Sequence, residues 1–142
     1  MTASESELTD WFTATPGMVR CAVQESGRVV EQVELAHDTY RLRVACPQLA
    51  LQVRPGQFFM IRFPGRNDPL LGRPFALYDV YRDDRGQVAG VDFAYHVIGK
   101  VTELLSHVAA GRDVELWGPL GNGFPTPMAE HLICVGGGIG YT

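Results

Sequence analysis

Cysteine is scarce in this chain of 142 residues, which has only Cys21, Cys46 and Cys134. Their wide separation fits neither a disulfide framework nor the tight spacing of a zinc or iron–sulfur site, so reduced thiols are the simplest reading. Long apolar runs are missing too. Nothing approaches the ~18–20 residues needed to cross a bilayer, and the N-terminal MTASESELTDWF has neither the basic flank nor the apolar core of a secretory signal. A cytoplasmic location with no membrane partner is expected. Positive charge is not in excess either: 12 Lys and Arg stand against 16 Asp and Glu, a net charge of −4, and the basic residues are interleaved with acids. Nucleic acid is therefore excluded as a generic partner, because its phosphates require a basic face. Internal repeats and low-complexity tracts are lacking, and His37, His107 and His131 share no metal-binding spacing.

What is present is a succession of short strand-like runs. Residues 1–17 are polar and rich in Ser, Thr and Glu, which predicts a flexible extension pinned at most by Trp11 and Phe12. From Val19 onward, β-branched and aromatic residues recur between turn signals over Val29–Leu35, Thr39–Ala45, Gln57–Phe63, Arg73–Tyr81, Gln87–Ile98 and Asp113–Trp117. Turn chemistry is equally legible at His37-Asp38, Arg54-Pro55-Gly56, Pro64 to Pro69 and Asp83 to Gly86. Six runs joined by tight reversals predict an all-β antiparallel barrel over residues 18–127. One segment, Thr102–Ala110, keeps helical spacing instead, with Leu104, Leu105, Val108 and Ala109 on one face, Thr102 suited to cap it and Gly111 to stop it. Trp117 reads as core. Farther on, Leu132 to Val135 reads as a short buried strand, followed by the glycine run Gly136 to Gly140. Such a turn lets a pyrophosphate approach backbone amides when a helix and further parallel strands follow. Residues 128–142 are expected to open a second, truncated α/β nucleotide-binding domain.

Two stretches could carry chemistry. Gly99-Lys100-Val101-Thr102 lies where a strand gives way to the helix, so its amides and the Thr102 hydroxyl could accept a phosphate. An ordinary turn and cap explains it as well, and Glu103 already complements the helix dipole. Gly72-Arg73-Pro74-Phe75-Ala76 is more specific. A proline in a strand-like run cannot donate a ladder hydrogen bond, so the strand should be interrupted or border an opening in the sheet. There Arg73 could offer a bidentate fork to phosphate and Phe75 an aromatic face to a flat ring, although a surface Arg beside a core Phe is the bland account. In the run Val91 to Ile98, alternation sends Val91, Phe93, Tyr95 and Val97 to one face and Asp92, Ala94, His96 and Ile98 to the other.

Taken in order, Pro55-Gly56-Gln57-Phe58, Asp68 to Ala76, Gly99 to Thr102, Gly118 to Phe124 and Val135 to Gly140 resemble the electron-transfer subunits of dihydroorotate dehydrogenase B. That family belongs to the ferredoxin-NADP reductase superfamily. The resemblance implies a six-stranded Greek-key FAD-binding barrel with one short helix, followed in the intact protein by a nicotinamide-binding domain and a two-iron two-sulfur cluster. It makes Arg73 a ligand of the FAD pyrophosphate and sets Phe75 against the isoalloxazine, with Pro74 and Ala76 completing that turn. Ala94, Tyr95 and His96 would line the flavin, Gly99, Val101 and Thr102 would meet its phosphates, and Gly118–Phe124 would link the domains where nicotinamide approaches. His96 is assigned contact but no proton chemistry, since electron transfer through a flavin needs no protein base.

The activity so implied is oxidation of NAD(P)H through FAD, with electrons released singly to the iron–sulfur centre. From there they would reach a dihydroorotate dehydrogenase catalytic subunit of pyrimidine biosynthesis, or another redox partner. With its nucleotide half-site cut short, the chain alone is expected to oxidise NADH poorly. Three departures stand out: Ala76 replaces the usual Ser or Thr near the reactive flavin nitrogen, Val101 replaces a glycine, and the cluster cysteines are not in the sequence, so no iron is expected here. A flavin reductase or a hydrogenase or sulfite-reductase subunit would use the same scaffold. A barrel that binds a ligand without redox chemistry is the alternative of another class.

Overall fold

A computed structural model describes residues 22–124 and 130–141. The extension expected over residues 1–17 lies outside them, as do Cys21 and residues 125–129. Seven strands, β1 (Val23–Ala36), β2 (Thr39–Ala45), β3 (Phe58–Arg62), β4 (Arg73–Ala76), β5 (Asp79–Arg82), β6 (Val88–His96) and β7 (Asp113–Leu120), are accompanied by a one-turn helix α1 (Pro47–Ala50) and by α2 (Lys100–Ser106). They form one antiparallel sheet in the order β4-β3-β7-β1-β2-β6-β5. The expected antiparallel barrel is borne out. No described helix is long and apolar enough to cross a membrane.

The strand count exceeds the six expected because the run Arg73–Tyr81 divides. β4 pairs with β3 at one edge of the sheet and β5 with β6 at the other, so the chain changes partners at Leu77-Tyr78: Leu77 N–H bonds Gln57 C=O (3.0 Å) and Tyr78 N–H bonds Asp92 C=O (2.9 Å). Its passage from edge to edge curls the sheet onto its core. The bond from Leu77 also orients the proline. Strand period puts Phe75 and Arg73 on the same bonding side as Leu77, so the Pro74 nitrogen faces away from β3 and costs no ladder bond.

The core is built by alternation. Leu42 and Val44, Phe59 and Ile61, Val91 and Phe93, and Val114 and Leu116 point inward from β2, β3, β6 and β7. β1 is long enough to serve two partners, pairing with β7 through Val23–Arg28 and with β2 through Arg28–Ala36. It crosses between them at Gly27, where a Cβ would sit 2.5 Å from both Leu116 and Val44 side-chain atoms. Trp117, read as core, is 50% exposed. The correction follows from register, because Val114 and Leu116 occupy the inward positions of β7 and Trp117 falls on the outer face beside Met60 and Gln24.

The helix also begins and ends earlier than expected. Thr102 is not its cap but the third residue of its first turn, and its Oγ1 accepts hydrogen bonds from Ile98 N–H (3.0 Å) and Gly99 N–H (3.1 Å). At the other end His107 N–H and Val108 N–H turn back to Leu104 and Leu105 C=O, tightening the chain out of the helix before Gly111 is reached. Leu105 and Val101 are buried against the barrel, whereas Ala109 is exposed. The strand expected at Leu132–Val135 is absent: those residues have no regular structure, and a single 3-10 turn covers Gly138–Tyr141. A parallel-sheet strand needs neighbours to satisfy its amides, and the described residues contain none for this one.

Candidate functional site

The partner change at Leu77-Tyr78 leaves a gap between β4 and β6. Asp92 is the last β6 residue paired with β5, and Ala94 and His96 turn their backbone groups to the same side, where no described strand meets them. A ladder normally consumes such groups; here they face a cleft of about 940 Å³, near the upper end of the ~300–1,000 Å³ usual for cofactor and small-molecule sites. Arg73, Pro74, Phe75 and Ala76 form one wall, Ala94, Tyr95 and His96 another, and Gly99, Val101 and Thr102 close the end at the start of α2. All ten residues expected at the site lie together around this one cleft.

Their roles differ in detail from the sequence reading. Arg73 is exposed, and its Nη1 reaches only the carbonyls of Leu71 (3.2 Å) and Gly72 (3.3 Å). Among the described residues it makes no ion pair. Lys100, the other permanent cation here, is paired with Asp68. The free positive charge of the cleft is thus Arg73, at the position where the strand opens.

Phe75 points the other way. It is 5% exposed, with its ring edge-on to Phe93 and Tyr95 at centroid distances of 6.2 and 5.7 Å. The aromatic face expected for a flat ligand is therefore corrected to a backing position, because β4 alternation turns Phe75 into the core and leaves Arg73, Pro74 and Ala76 outside. Thr102 needs a similar revision. Its hydroxyl is engaged with the Ile98 and Gly99 amides and donates to Gly99 C=O (2.9 Å), so it shapes the turn while the backbone amides of the first turn remain.

Tyr95 and His96 are held from behind. The Tyr95 ring stacks on Tyr40 at 5.9 Å, and its hydroxyl donates to Gln32 Oε1 (3.2 Å), whose amide nitrogen donates in turn to Ser106 C=O. Burial pushes the Tyr95 phenol up. His96 Nδ1 lies 2.7 Å from Thr39 Oγ1, which is 3.1 Å from His37 C=O. With the hydroxyl proton on that carbonyl, Nδ1 carries the ring proton of neutral His96 and Nε2 is left as an acceptor.

Sequence reasoning missed the rim. Leu70 and Leu71, 64% and 69% exposed, Ile98, 88% exposed, and Ile139 of the glycine turn all line the cleft. An apolar pair after a proline turn could have signalled the first two; Ile139 is placed only by tertiary structure. Gly118–Phe124, expected as an inter-domain link, does not border the cleft among the described residues. It folds back on the Pro55–Gln57 turn, where Gln57 Nε2 donates to Gly121 C=O (2.8 Å) and Phe124 N–H to Pro55 C=O (2.8 Å).

A curled antiparallel barrel with one unzipped seam, an unpaired arginine at the opening and a helix start at its end is a cofactor-binding domain. Residues 26–124 match the oxidoreductase FAD-binding domain family, and the chain belongs to it. The resemblance drawn from the five motifs is borne out. The chain is 38% identical over 114 residues to the dihydroorotate dehydrogenase B (NAD(+)) electron transfer subunit of Desulforamulus reducens, covering 80% of this chain and 42% of that one. It is likewise 38% identical over 120 residues to the same subunit of Geobacillus thermodenitrificans, covering 82% and 45%. The chain thus spans less than half the length of these relatives. Among solved structures it is similar to an NADH-dependent reduced ferredoxin-NADP oxidoreductase, with a TM-score of 0.60 and 26% identity over 70% of this chain and 34% of that one. A ferredoxin reductase of carbazole 1,9a-dioxygenase shares the fold, with a TM-score of 0.70 at 22% identity over 84% and 36%.

Proposed function

We propose that the chain is the FAD-binding part of an NADH-dependent electron-transfer subunit that serves a dihydroorotate dehydrogenase catalytic subunit, in the cytoplasm. The observation that carries the reading is the unzipped seam: a large, mostly apolar cleft where, among the described residues, the one charge outside an ion pair is positive, and where the backbone of Ala94 and His96 faces the opening instead of a strand. That donor set fits FAD, which needs a cation and amides for its diphosphate and a long apolar slot for its rings. Bound FAD supplies the capacity to take two electrons from a nicotinamide and release them singly, toward an iron–sulfur centre in the intact subunit.

The chain's own residues bind and orient. Arg73 neutralises the diphosphate, with the amides from Lys100 to Thr102 as a second anchor. Ala94 and His96 offer backbone donors and acceptors to ring edges, and Ala76 leaves that contact to backbone because it has no hydroxyl. Tyr95, fixed by Tyr40 and Gln32, is a rigid wall. Residues 128–142 open the nicotinamide-binding domain in this reading.

Purification followed by FAD addition and desalting tests it. Stoichiometric retained flavin, with its visible absorbance and quenched or shifted fluorescence, is expected. A preparation that stays colourless after excess FAD sinks the proposal and favours a barrel without redox chemistry.

A further inference from the structure

A second cavity, of about 540 Å³, lies at the other end of α2 and shares no lining residue with the cleft. Its floor is apolar, made by Phe63, Leu104 and Val108, all partly buried. Arg66 and Arg112 stand on its rim, the Arg66 guanidinium carbon 5.8 Å from the centroid of the Phe63 ring. Among the described residues neither arginine makes an ion pair. Asp113, the carboxylate among the lining residues, is taken by Arg28, with Nε 3.1 Å from Oδ1.

A helix C-terminus ordinarily repels an anion because its last carbonyls carry partial negative charge. At α2 these are all occupied. Glu103 C=O accepts from Ser106 Oγ (2.8 Å) and from His107 Nδ1 (2.8 Å), Leu104 and Leu105 C=O accept from the His107 and Val108 amides, and Ser106 C=O accepts from Gln32 Nε2. What the cavity leaves unused is donors and an apolar floor, in a chain whose net charge is negative.

We propose that this cavity binds a small organic oxyanion, its phosphate or carboxylate held by Arg66 and Arg112 and its apolar or aromatic body seated on Phe63, Leu104 and Val108. The site is separate from the FAD cleft and does not depend on it.

Amide NMR of the 15N-labelled chain tests this with phenyl phosphate, inorganic phosphate and sodium chloride at matched ionic strength. Phenyl phosphate should give saturable shifts confined to residues 63–66 and 104–113, binding tighter than inorganic phosphate because only it has a body to seat. Loss of charge-assisted hydrogen bonds in the R66Q/R112Q variant should weaken it by about tenfold or more, and R73Q should leave it unchanged. Both arginines are exposed, and the single variants serve where the double one does not fold. Shifts no larger than those with chloride overturn the proposal, as do shifts that survive R66Q/R112Q or that require Arg73. Equal affinity for the two phosphates removes the apolar half of it.

Discussion

Arg73 and Phe75 stand two residues apart on β4 and yet face opposite environments. Arg73 is the cleft's unpaired cation and Phe75 is buried under the barrel wall, so substitutions at the two positions should separate binding from folding. Arg73→Gln should weaken FAD by about tenfold or more, the cost of a charge-assisted hydrogen bond of ~1.5–3 kcal/mol, while moving stability by less than ~0.5 kcal/mol, as exposed substitutions usually do. Flavin fluorescence titration and urea unfolding of the same samples measure the two effects. An equal loss of both would mean that Arg73 supports the fold instead. The two described cysteines differ as sharply. Cys46 is fully buried and its thiol is pushed up to about 12, chiefly by burial, whereas Cys134 is exposed. Iodoacetamide at pH 8 should alkylate Cys134 and spare Cys46 until the protein is unfolded, which peptide mass spectrometry reads directly.

At the level of elements, the place where β5 leaves β6 decides whether there is a cleft at all. Asp92 marks it. Its carboxylate, 3% exposed, receives a bidentate pair of bonds from Arg43 at 2.8 Å each, and its carbonyl takes Tyr78 N–H. Arg43 also lies 4.6 Å from the Tyr81 ring centroid, so one guanidinium ties β2, β6 and β5 together, and that carboxylate raises its pKa above the usual value. Asp92→Asn should cost about 2 kcal/mol, the scale of a hydrogen bond to a charged group, and should lower FAD affinity as well, because the corner that opens the seam is released. Unchanged flavin binding in a destabilised variant would separate the corner from the site. Gly90 on β6 is equally constrained. A Cβ there would sit 2.0 Å from Val44 C=O, and Gly90→Ala should cost ~1–3 kcal/mol, the usual range for overpacking, as a lowered urea midpoint. Strand positions were largely legible because alternation and turn residues are local. The division of Arg73–Tyr81 was not, since a strand that exchanges partners in mid-run keeps its alternation. Helix ends moved for a related reason: Thr102 suits a cap by type, but its bonds to the Ile98 and Gly99 amides place it third in the first turn, with Gly99 at the cap.

For the molecule as a whole, the site was more legible than the architecture that makes it. Seven of the ten residues expected at the site fall in two of the motifs, Asp68 to Ala76 and Gly99 to Thr102, where glycine, proline and arginine at an opening are chemically demanding positions, while Ala94, Tyr95 and His96 are reached through the resemblance of the β6 run. The inward turn of Phe75, the outward turn of Trp117 and the arrival of Ile139 depend on which face of the closed sheet each residue meets, and closure is a long-range property. Closure also sets how the fold responds to alkali. Burial raises the Cys46 thiol, the Tyr95 phenol and the Tyr81 phenol, in every case as the largest cause. In the unfolded chain the thiol ionises near 9.0 and the phenols near 10.0, while the folded barrel keeps these protons to higher pH. The native state then binds more protons than the unfolded one, so stability must fall as pH rises. The loss should begin near pH 9 with Cys46 and steepen above pH 10 with the tyrosines, reaching on the order of 1–3 kcal/mol by pH 11. Urea unfolding at intervals from pH 8 to pH 11 measures it, and Cys46→Ala, although less stable throughout, should flatten the decline between pH 9 and pH 10. A midpoint that holds constant through pH 11 would show that these three groups are not shielded by the barrel wall as the packing requires.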